Sequence, residues 1–387
     1  MKPIANISRR RRLLSTRKRI LFSAVVTFLI LGVCYGGSLV WRSSVVYNMV
    51  RNGNHGWEGK LHAADAILGH VAVPNAQGAQ LLLLSKPVPA RFDEFGLRVP
   101  VDHPTESRAD TSGPKILFLG CSHTYGYGCL AEETYAQQTA DALHGRCLNA
   151  SVSGYGLSQM LVQARERIPQ FQPDYVVVQY SSWLVDRSTQ LYSPTFFGTL
   201  PCPYFAENED GKLYVHRPVF QSILFELPVN RYHKFSGDTS HALSFLTRVG
   251  TPLFVHDDFH VLLSSLKQRC GLIPTPVQDR ERIIEFAYGE ISKLCRRNHS
   301  QMIVVNIQSG VQTTETSVLR QIPDAIFVDA HGTLLELLPE KTDEAYNRAY
   351  CHWRGDPPIC VDHHPNPEKH RIIAETIVRS LNRVGLR

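Results

Sequence analysis

The sequence of 387 residues lacks several features that would assign a function directly. No C-x-x-C pair occurs among its nine cysteines, so neither a structural zinc site nor any other metal site is expected. It has no internal repeat and no low-complexity segment, and its 43% of hydrophobic residues exclude a disordered chain. The composition therefore indicates one main globular domain with a smaller appendage.

An excess of positive charge is missing from most of the chain, although the whole sequence carries a formal charge of +6. The first 41 residues hold eight Lys and Arg residues and no acid. Without those eight, 33 of the 41 basic residues remain against 35 acidic ones. A basic field that would attract DNA or RNA is therefore absent, and no nucleic-acid partner is expected.

One long run without charged residues extends from Ile20 to Trp41. As a helix it would reach about 33 Å, which is enough to cross a bilayer core. Because the basic cluster precedes this run, the positive-inside rule predicts a cytoplasmic tail at 1–19, one transmembrane anchor at 20–41, and a body in the periplasm or outside the cell. A cleavable signal peptide is the alternative, but its apolar core is usually shorter.

Eight cysteines follow in the exported part, an even number in a compartment where disulfides persist. The pairs Cys351 with Cys360 and Cys270 with Cys295 each close a short loop and are the first candidates for disulfides. Spacing alone leaves their connectivity open.

The pattern of hydrophobic residues divides the exported part in two. Residues 42–111 mix short apolar runs with turn residues, which indicates an irregular or β-rich stem. From Lys115, short branched or aromatic runs alternate with amphipathic stretches, which predicts a parallel sheet covered by helices in a main domain at 112–387. Candidate strands are 116–119, 147–152, 175–180, 302–307 and 325–328, and candidate helices are 132–144, 158–168, 280–298 and 370–384. The segment 186–277 interrupts this alternation and is interpreted as a cap or substrate wall beside the site.

A candidate nucleophile follows the first of these strands, in the run Gly120-Cys121-Ser122-His123-Thr124. The carboxyl end of a parallel strand is where open α/β sheets place their ligand crevices. Gly120 permits a tight turn, and a helix after it would aim backbone N–H groups at developing negative charge. A serine after a strand is also a common helix cap, so this element needs partners elsewhere.

Such partners occur near the C-terminus, in the run Val361-Asp362-His363-His364-Pro365-Asn366. A serine hydroxyl becomes a nucleophile when an imidazole takes its proton, and a carboxylate holds that imidazole in the right tautomer. Asp362 and His364 supply both groups. The alternatives are a polar turn with surface histidines and a metal site formed by His363, His364 and His370.

Together these segments resemble the SGNH (GDSL-like) hydrolase and acyltransferase superfamily, as an exported, membrane-anchored member. The run 120–124 resembles its first block, Leu148 to Gly154 resembles its second, and the D-x-H-P-N run at 362–366 resembles its last. The runs 67–75 and 93–98 also resemble the lead-in of exported members, so the likeness extends over residues 65–387.

The resemblance implies a flavodoxin-like α/β/α sandwich with a five-stranded parallel sheet and an acyl-enzyme on Ser122. His364 would be the base, Asp362 would orient it, and the N–H groups of Ser122 and Gly154 would form the oxyanion hole. No cofactor is implied.

The sequence departs from the family pattern at two positions. Cys121 replaces an aspartate, which makes Cys121 itself a minor alternative as the nucleophile. Trp183 stands where an asparagine donor is expected, so Ser182, the Trp183 indole or Asn149 would have to replace that oxyanion donor.

These observations predict a serine esterase outside the cytoplasmic membrane, acting on acyl esters, with O-acetyl groups of an envelope polysaccharide as the expected class. One alternative is an O-acyltransferase that uses the same triad, to which a membrane-bound partner could supply the acyl donor. The other is a catalytically silent module that binds a glycan or a partner.

Overall fold

The computed structural model describes residues 16–51, 56–58, 61–82, 85–102, 113–195, 198–219, 262, 264–312 and 316–385. Most of the basic tail and residues 220–261 of the predicted insertion lie outside the described residues.

The described helices and strands follow one another as the sequence pattern predicts from residue 115 onward. The helices are α1 (Thr16–Arg51), α2 (Ser122–Tyr125), α3 (Tyr135–Ala142), α4 (Leu157–Phe171), α5 (Ser182–Ser188), α6 (Arg280–Arg297), α7 (Ser317–Arg320), α8 (Ala330–Glu336), α9 (Asp343–Tyr350) and α10 (Pro367–Arg383). The strands before the insertion are β1 (Gly56–Glu58), β2 (His62–Asp65), β3 (Gly69–Ala72), β4 (Gln77–Leu81), β5 (Val88–Phe92), β6 (Arg98–Val99), β7 (Lys115–Leu119), β8 (Arg146–Asn149) and β9 (Tyr175–Tyr180). The later strands are β10 (Tyr192–Thr195), β11 (Gly198–Pro201), β12 (Tyr204–Glu207), β13 (Leu213–His216), β14 (Gln301–Asn306), β15 (Ala325–Val328), β16 (His352–Arg354) and β17 (Ile359–Asp362).

The main sheet has nine strands in the order β1-β4-β5-β6-β8-β7-β9-β14-β15. The five strands from β8 to β15 are parallel to one another, which confirms the predicted parallel core. The prediction of a five-stranded, purely parallel sheet is wrong, because β1, β4, β5 and β6 extend it as antiparallel strands. These four strands are only two to five residues long, and this weakens their alternation pattern in the sequence.

The lead-in region is therefore continuous with the main sheet. Strand β6 joins the two parts, since Arg98 pairs with Asn149 of β8. This pairing also places Arg98 beside the carboxyl end of the parallel strands, where the site lies.

Both faces of the parallel strands are covered by helices, as their unbroken apolar sequence requires. On one face, Leu117 and Val176 pack with residues of α4 and α6. On the other, Phe118 and Val177 pack with residues of α3 and α10. Each fully buried side chain of this kind contributes roughly 1.5–3 kcal/mol of transfer free energy, so the strands that carry the site rest on a rigid support.

The described part of the insertion forms two antiparallel hairpins, β10–β11 and β12–β13. Phe205 of β12 is fully buried in the core cluster that includes α4 and α6. This hairpin therefore belongs to the body of the domain, and the remaining prediction of a cap concerns residues outside the described ones.

The helix α1 includes the predicted anchor at 20–41. Among the residues whose side chains are described, however, no helix is both long and apolar enough to cross a membrane.

The predicted disulfides are not present. All nine cysteines are free thiols, including Cys270, Cys295, Cys351 and Cys360. A short loop between two cysteines does not by itself bring their sulfur atoms to bonding distance.

Candidate active site

The nucleophile candidate lies in a tight turn between β7 and α2. A Cβ atom at Gly120 would lie 2.0 Å from Oγ1 of Thr124 and 2.6 Å from Oε1 of Gln179, so only glycine fits there. Gly126 ends α2 in the left-handed region, with φ 83°. The turn places Ser122 at the start of α2, with 5% of its surface exposed.

Ser122, His364 and Asp362 form a continuous chain of hydrogen bonds. The hydroxyl of Ser122 lies 2.9 Å from Nε2 of His364, and Nδ1 of His364 lies 2.6 Å from Oδ1 of Asp362. Oδ1 of Asp362 also accepts a hydrogen bond of 2.6 Å from the backbone N–H of His364. Because the carboxylate accepts the Nδ1 proton, Nε2 is free to accept the serine proton.

The loop that carries His364 is fixed by the residues that follow it. Nε2 of the buried His352 lies 3.1 Å from the carbonyl oxygen of Pro365 and donates to it. The amide of Asn366 donates to the carbonyl oxygens of Ala349 and Cys351, while its oxygen caps α10 by accepting from the N–H of Lys369. The H-P-N run thus holds the imidazole between β17 and α10.

The ring of His364 contacts two other rings. The ring centroids of Tyr127 and His123 lie 4.9 and 5.4 Å from that of His364. Burial lowers the pKa of His123 well below its ordinary value, and the nearby charge of Lys369 adds to this effect. His123 is therefore neutral and does not oppose the positive charge that His364 acquires when it takes the serine proton.

Gln179, near the carboxyl end of β9, braces the nucleophile turn. Its Oε1 accepts hydrogen bonds from the N–H of Cys121 at 3.1 Å and from Oγ1 of Thr124 at 2.6 Å, and its Nε2 donates to Oγ of Ser181 at 2.8 Å. Sequence reasoning missed this residue. Its only signal is a single amide in an otherwise apolar strand that is buried along its whole length.

Arg98, which the sequence indicated only as part of the lead-in, is a second brace. Its buried guanidinium donates to the carbonyl oxygens of Tyr125, Gly126 and Cys129, and lies 4.3 Å from the ring centroid of Tyr125. Tyr125 is the last residue of α2 and Gly126 is its C-cap, so the guanidinium lies at the helix end where a cation is favoured. Arg98 therefore fixes the segment beyond the nucleophile.

The expected oxyanion residues differ in their surroundings. Gly154 lies in a turn with φ 88°, and the carbonyl of the preceding Ser153 accepts a hydrogen bond of 2.8 Å from Nε2 of the buried His70. The amide of Asn149 donates to the carbonyl oxygen of Thr124 at 3.1 Å, so it supports the end of α2.

The third block contributes Ser182 and Trp183. The backbone N–H and hydroxyl of Ser182 both donate to Oε1 of Gln308, at 3.1 and 3.4 Å. The half-buried ring of Trp183 lies 4.9 Å from the ring of His123, which in turn contacts His364. Of the three substitutes for the missing asparagine, Trp183 is the one linked by ring contacts to the triad.

Two alternatives from the sequence are not supported by the described residues. Cys121 is fully buried, and its sulfur lies 3.5 Å from Oε1 of Gln179 and 3.9 Å from the hydroxyl of Ser122. His370 is also buried, with Nδ1 accepting from the N–H of Tyr135 at 3.1 Å, and it does not form a cluster of ligands with His363 and His364 in the described part of the chain.

Comparisons with known proteins give structural likenesses only. No family model and no curated protein matches the chain. An acetyl xylan esterase, Est2A, from the rumen bacterium Butyrivibrio proteoclasticus is 15% identical, with a TM-score of 0.36, over 81% of this chain and 73% of that chain. A putative lipolytic protein of the G-D-S-L family from Desulfitobacterium hafniense is 9% identical, with a TM-score of 0.36, over 69% of this chain and 99% of that chain. A catalytic mutant of Axe2, an acetylxylan esterase from Geobacillus stearothermophilus, is 15% identical, with a TM-score of 0.36, over 71% of this chain and 97% of that chain.

Likenesses at this level do not assign a reaction, so the class of the protein follows from its own geometry. A serine, a histidine and an aspartate in hydrogen-bond contact have the geometry that nucleophilic catalysis by a serine requires. The nucleophile follows the first parallel strand, and the D-x-H pair precedes the last helix. This order agrees with what the sequence resemblance to the SGNH superfamily implies.

Proposed function

We propose that this chain is a serine esterase that cleaves acyl esters through an acyl-Ser122 intermediate. The observation that carries the proposal is the hydrogen-bond chain from Ser122 through His364 to Asp362, in which each polar atom has the partner that the chemistry needs.

The reaction follows from the positions of the three groups. Nε2 of His364 takes the proton as Oγ of Ser122 attacks the ester carbonyl, and Asp362 stabilises the imidazolium. The proton then passes to the leaving alcohol oxygen as the ester bond breaks. Water repeats the sequence on the acyl-enzyme, which releases the acid and restores Ser122.

The substrate class and the location are further parts of the proposal. The resemblance of the sequence motifs to the SGNH superfamily supports short acyl esters of carbohydrates, with O-acetyl groups of an envelope polysaccharide as the preferred class. The uncharged run at 20–41, preceded by eight basic residues, supports a site of action outside the cytoplasmic membrane. Fractionation of cells that express a C-terminally tagged chain would test this location.

A fluorophosphonate probe tests the serine chemistry directly, because it reacts with an activated serine hydroxyl. A module that only binds a glycan would not be labelled. We expect labelling of the wild-type chain and none of Ser122→Ala. Ser380→Ala is a matched control, since Ser380 lies on α10, where its hydroxyl donates to the carbonyl oxygen of Thr376. If folded wild-type protein takes no label, the chain is a silent binding module and the esterase proposal is wrong.

Release of acetate from acetylated polysaccharides tests the substrate class. A free sugar acceptor added to the same reaction separates the two enzymatic candidates. Acetate release that the acceptor does not change supports the esterase, whereas acetyl transfer to the acceptor with little free acetate shows an O-acyltransferase.

A further inference from the structure

Three side chains converge beside the acid–base loop, and none of them has a role in the reaction above. Cys351 precedes β16, Cys360 lies in β17, and His363 stands between the two triad residues of the loop. The sulfur atoms and a ring nitrogen of these residues all lie within 4.8 Å of one another. Sγ of Cys360 and Nδ1 of His363 are 3.9 Å apart.

These distances suit a tetrahedral metal ion. With Zn–S bonds of about 2.3 Å and Zn–N bonds of about 2.0 Å, tetrahedral angles separate a sulfur and a nitrogen ligand by about 3.5 Å. Sγ of Cys351 donates a hydrogen bond of 3.5 Å to Oδ1 of Asn347, so this oxygen lies next to one of the three donors. Two thiolates and one imidazole are a donor set that favours zinc over magnesium or calcium.

The strand register argues against a disulfide as the reason for the cluster. In the β16–β17 hairpin, Trp353 lies opposite Cys360 and His352 opposite Asp362, with an irregularity between them, so Cys351, which precedes β16, does not lie directly opposite Cys360. Both residues are free thiols in the structure, and a disulfide also requires a specific geometry, with Cα atoms about 4.4–6.8 Å apart. A disulfide would also leave His363 without a function.

We propose that Cys351, Cys360 and His363 bind one zinc-like divalent ion, with Asn347 or water as the fourth ligand. Binding displaces one proton from each thiol to solvent and forms two metal–thiolate bonds. Because Cys360 and His363 flank Asp362, the bound ion would tie the β16–β17 hairpin to the loop that carries His364. The C-x8-C-x2-H spacing explains why a search for C-x-x-C pairs does not find this site.

Metal titration of the full chain tests the proposal without reference to activity. The protein is purified with a reductant, stripped with a chelator, and titrated with Zn²⁺ or Co²⁺. We expect one equivalent to bind, the absorption of a tetrahedral cobalt–thiolate complex to appear, and the melting temperature to rise. Cys360→Ser and His363→Ala should each weaken binding by more than the roughly 10- to 100-fold that loss of an outer-shell partner of a metal ligand causes. Cys270→Ser is the matched control, because Cys270 is an exposed thiol outside the cluster.

Three results would overturn the proposal: no binding by the folded, reduced wild-type chain, equal binding by Cys360→Ser, or a Cys351–Cys360 disulfide in protein isolated without reductant. The first does not depend on whether the variants fold. Ser122→Ala should bind the metal like the wild type, because metal binding does not depend on the nucleophile. Failure of the esterase proposal would therefore not contradict the metal site.

Discussion

The guanidinium of Arg98 donates a hydrogen bond of 2.7 Å to the carbonyl oxygen of Gly126, four residues beyond the nucleophile. We expect Arg98→Met to leave three buried carbonyl groups without this donor and to lower the free energy of unfolding by about 3 kcal/mol. Displacement of the α2 segment should also lower kcat roughly 10- to 100-fold. Urea unfolding and ester hydrolysis measure the two effects. Arg165→Met, at an exposed position on α4, should change neither, and unchanged kcat in Arg98→Met would refute a positioning role.

Gln179 should affect the rate more than substrate binding. Gln179→Met keeps the volume of the side chain but removes the acceptor for the N–H of Cys121 and the hydroxyl of Thr124. We expect kcat to fall roughly 10- to 100-fold with little change in KM, because the substitution shifts the nucleophile turn and Gln179 is a brace with no proposed contact to the substrate. Gln137→Met is the control, since Gln137 is a buried amide on α3 that donates to Asp141. An equal loss of activity in both variants would indicate a general packing defect.

Asp362→Asn tests the orientation of the imidazole. An amide at this position carries no negative charge to stabilise the imidazolium, and its NH2 group can donate to Nδ1, which holds His364 in the wrong tautomer. We expect kcat for a short acyl ester to fall roughly 10³- to 10⁴-fold. Far-UV circular dichroism should remain unchanged. A loss of less than tenfold would show that Asp362 is not the orienting group.

Two substitutions at Trp183 distinguish a role of its indole N–H as a hydrogen-bond donor from a role of its ring in packing. Trp183→Phe keeps a ring against His123 but removes the indole N–H, whereas Trp183→Asn restores the amide that the family pattern has. If the indole is the oxyanion donor, Trp183→Phe should lower kcat roughly 10²- to 10³-fold and Trp183→Asn should retain most of it. Equal activity of wild type and Trp183→Phe would exclude the indole as a donor.

Stability should fall on mild acidification because buried histidines are neutral in the folded state. Burial lowers the pKa of His62 to about 3 and that of His70 to about 4, with the charge of His70 adding to the effect at His62. Unfolding returns both to about 6.5, so the unfolded chain binds more protons between pH 6.5 and 4. Each histidine then lowers the free energy of unfolding by up to about 1.4 kcal/mol for each unit by which the pH falls within that window. Above about pH 6.5 the stability is fully present.

Urea unfolding at pH 7, 6 and 5 measures this dependence. His62→Gln should unfold with a shallower dependence on pH than the wild type. A free energy of unfolding that is the same at pH 7 and pH 5 would contradict the expectation.

The parallel half of the sheet could be predicted from the sequence because its strands are branched, apolar runs that are buried on both faces. The predicted strand 116–119 differs from the observed Lys115–Leu119 by one residue. The antiparallel strands could not be recognised, because strands as short as Arg98–Val99 have no measurable alternation.

The candidate triad could be proposed from sequence because its chemistry restricts the residue types and because Asp362 and His364 are only two residues apart. The roles of Gln179 and Arg98 could not be predicted from the sequence, since their hydrogen bonds to the nucleophile turn depend on contacts between separate strands. The expected disulfides failed for the same reason, because spacing in the sequence does not give the distance between two sulfur atoms.

The Ser122–His364 hydrogen bond joins residues that are 242 positions apart. We expect His364 to reach Ser122 only after α10 has packed on the sheet, whereas Asp362 and His364 can meet within their own loop. Recovery of esterase activity during refolding would therefore time the docking of the C-terminal helix, and it would lag behind signals from the sheet. In a variant that weakens the packing of α10, the delayed recovery of esterase activity should be detectable even when spectroscopic probes of the sheet show no change.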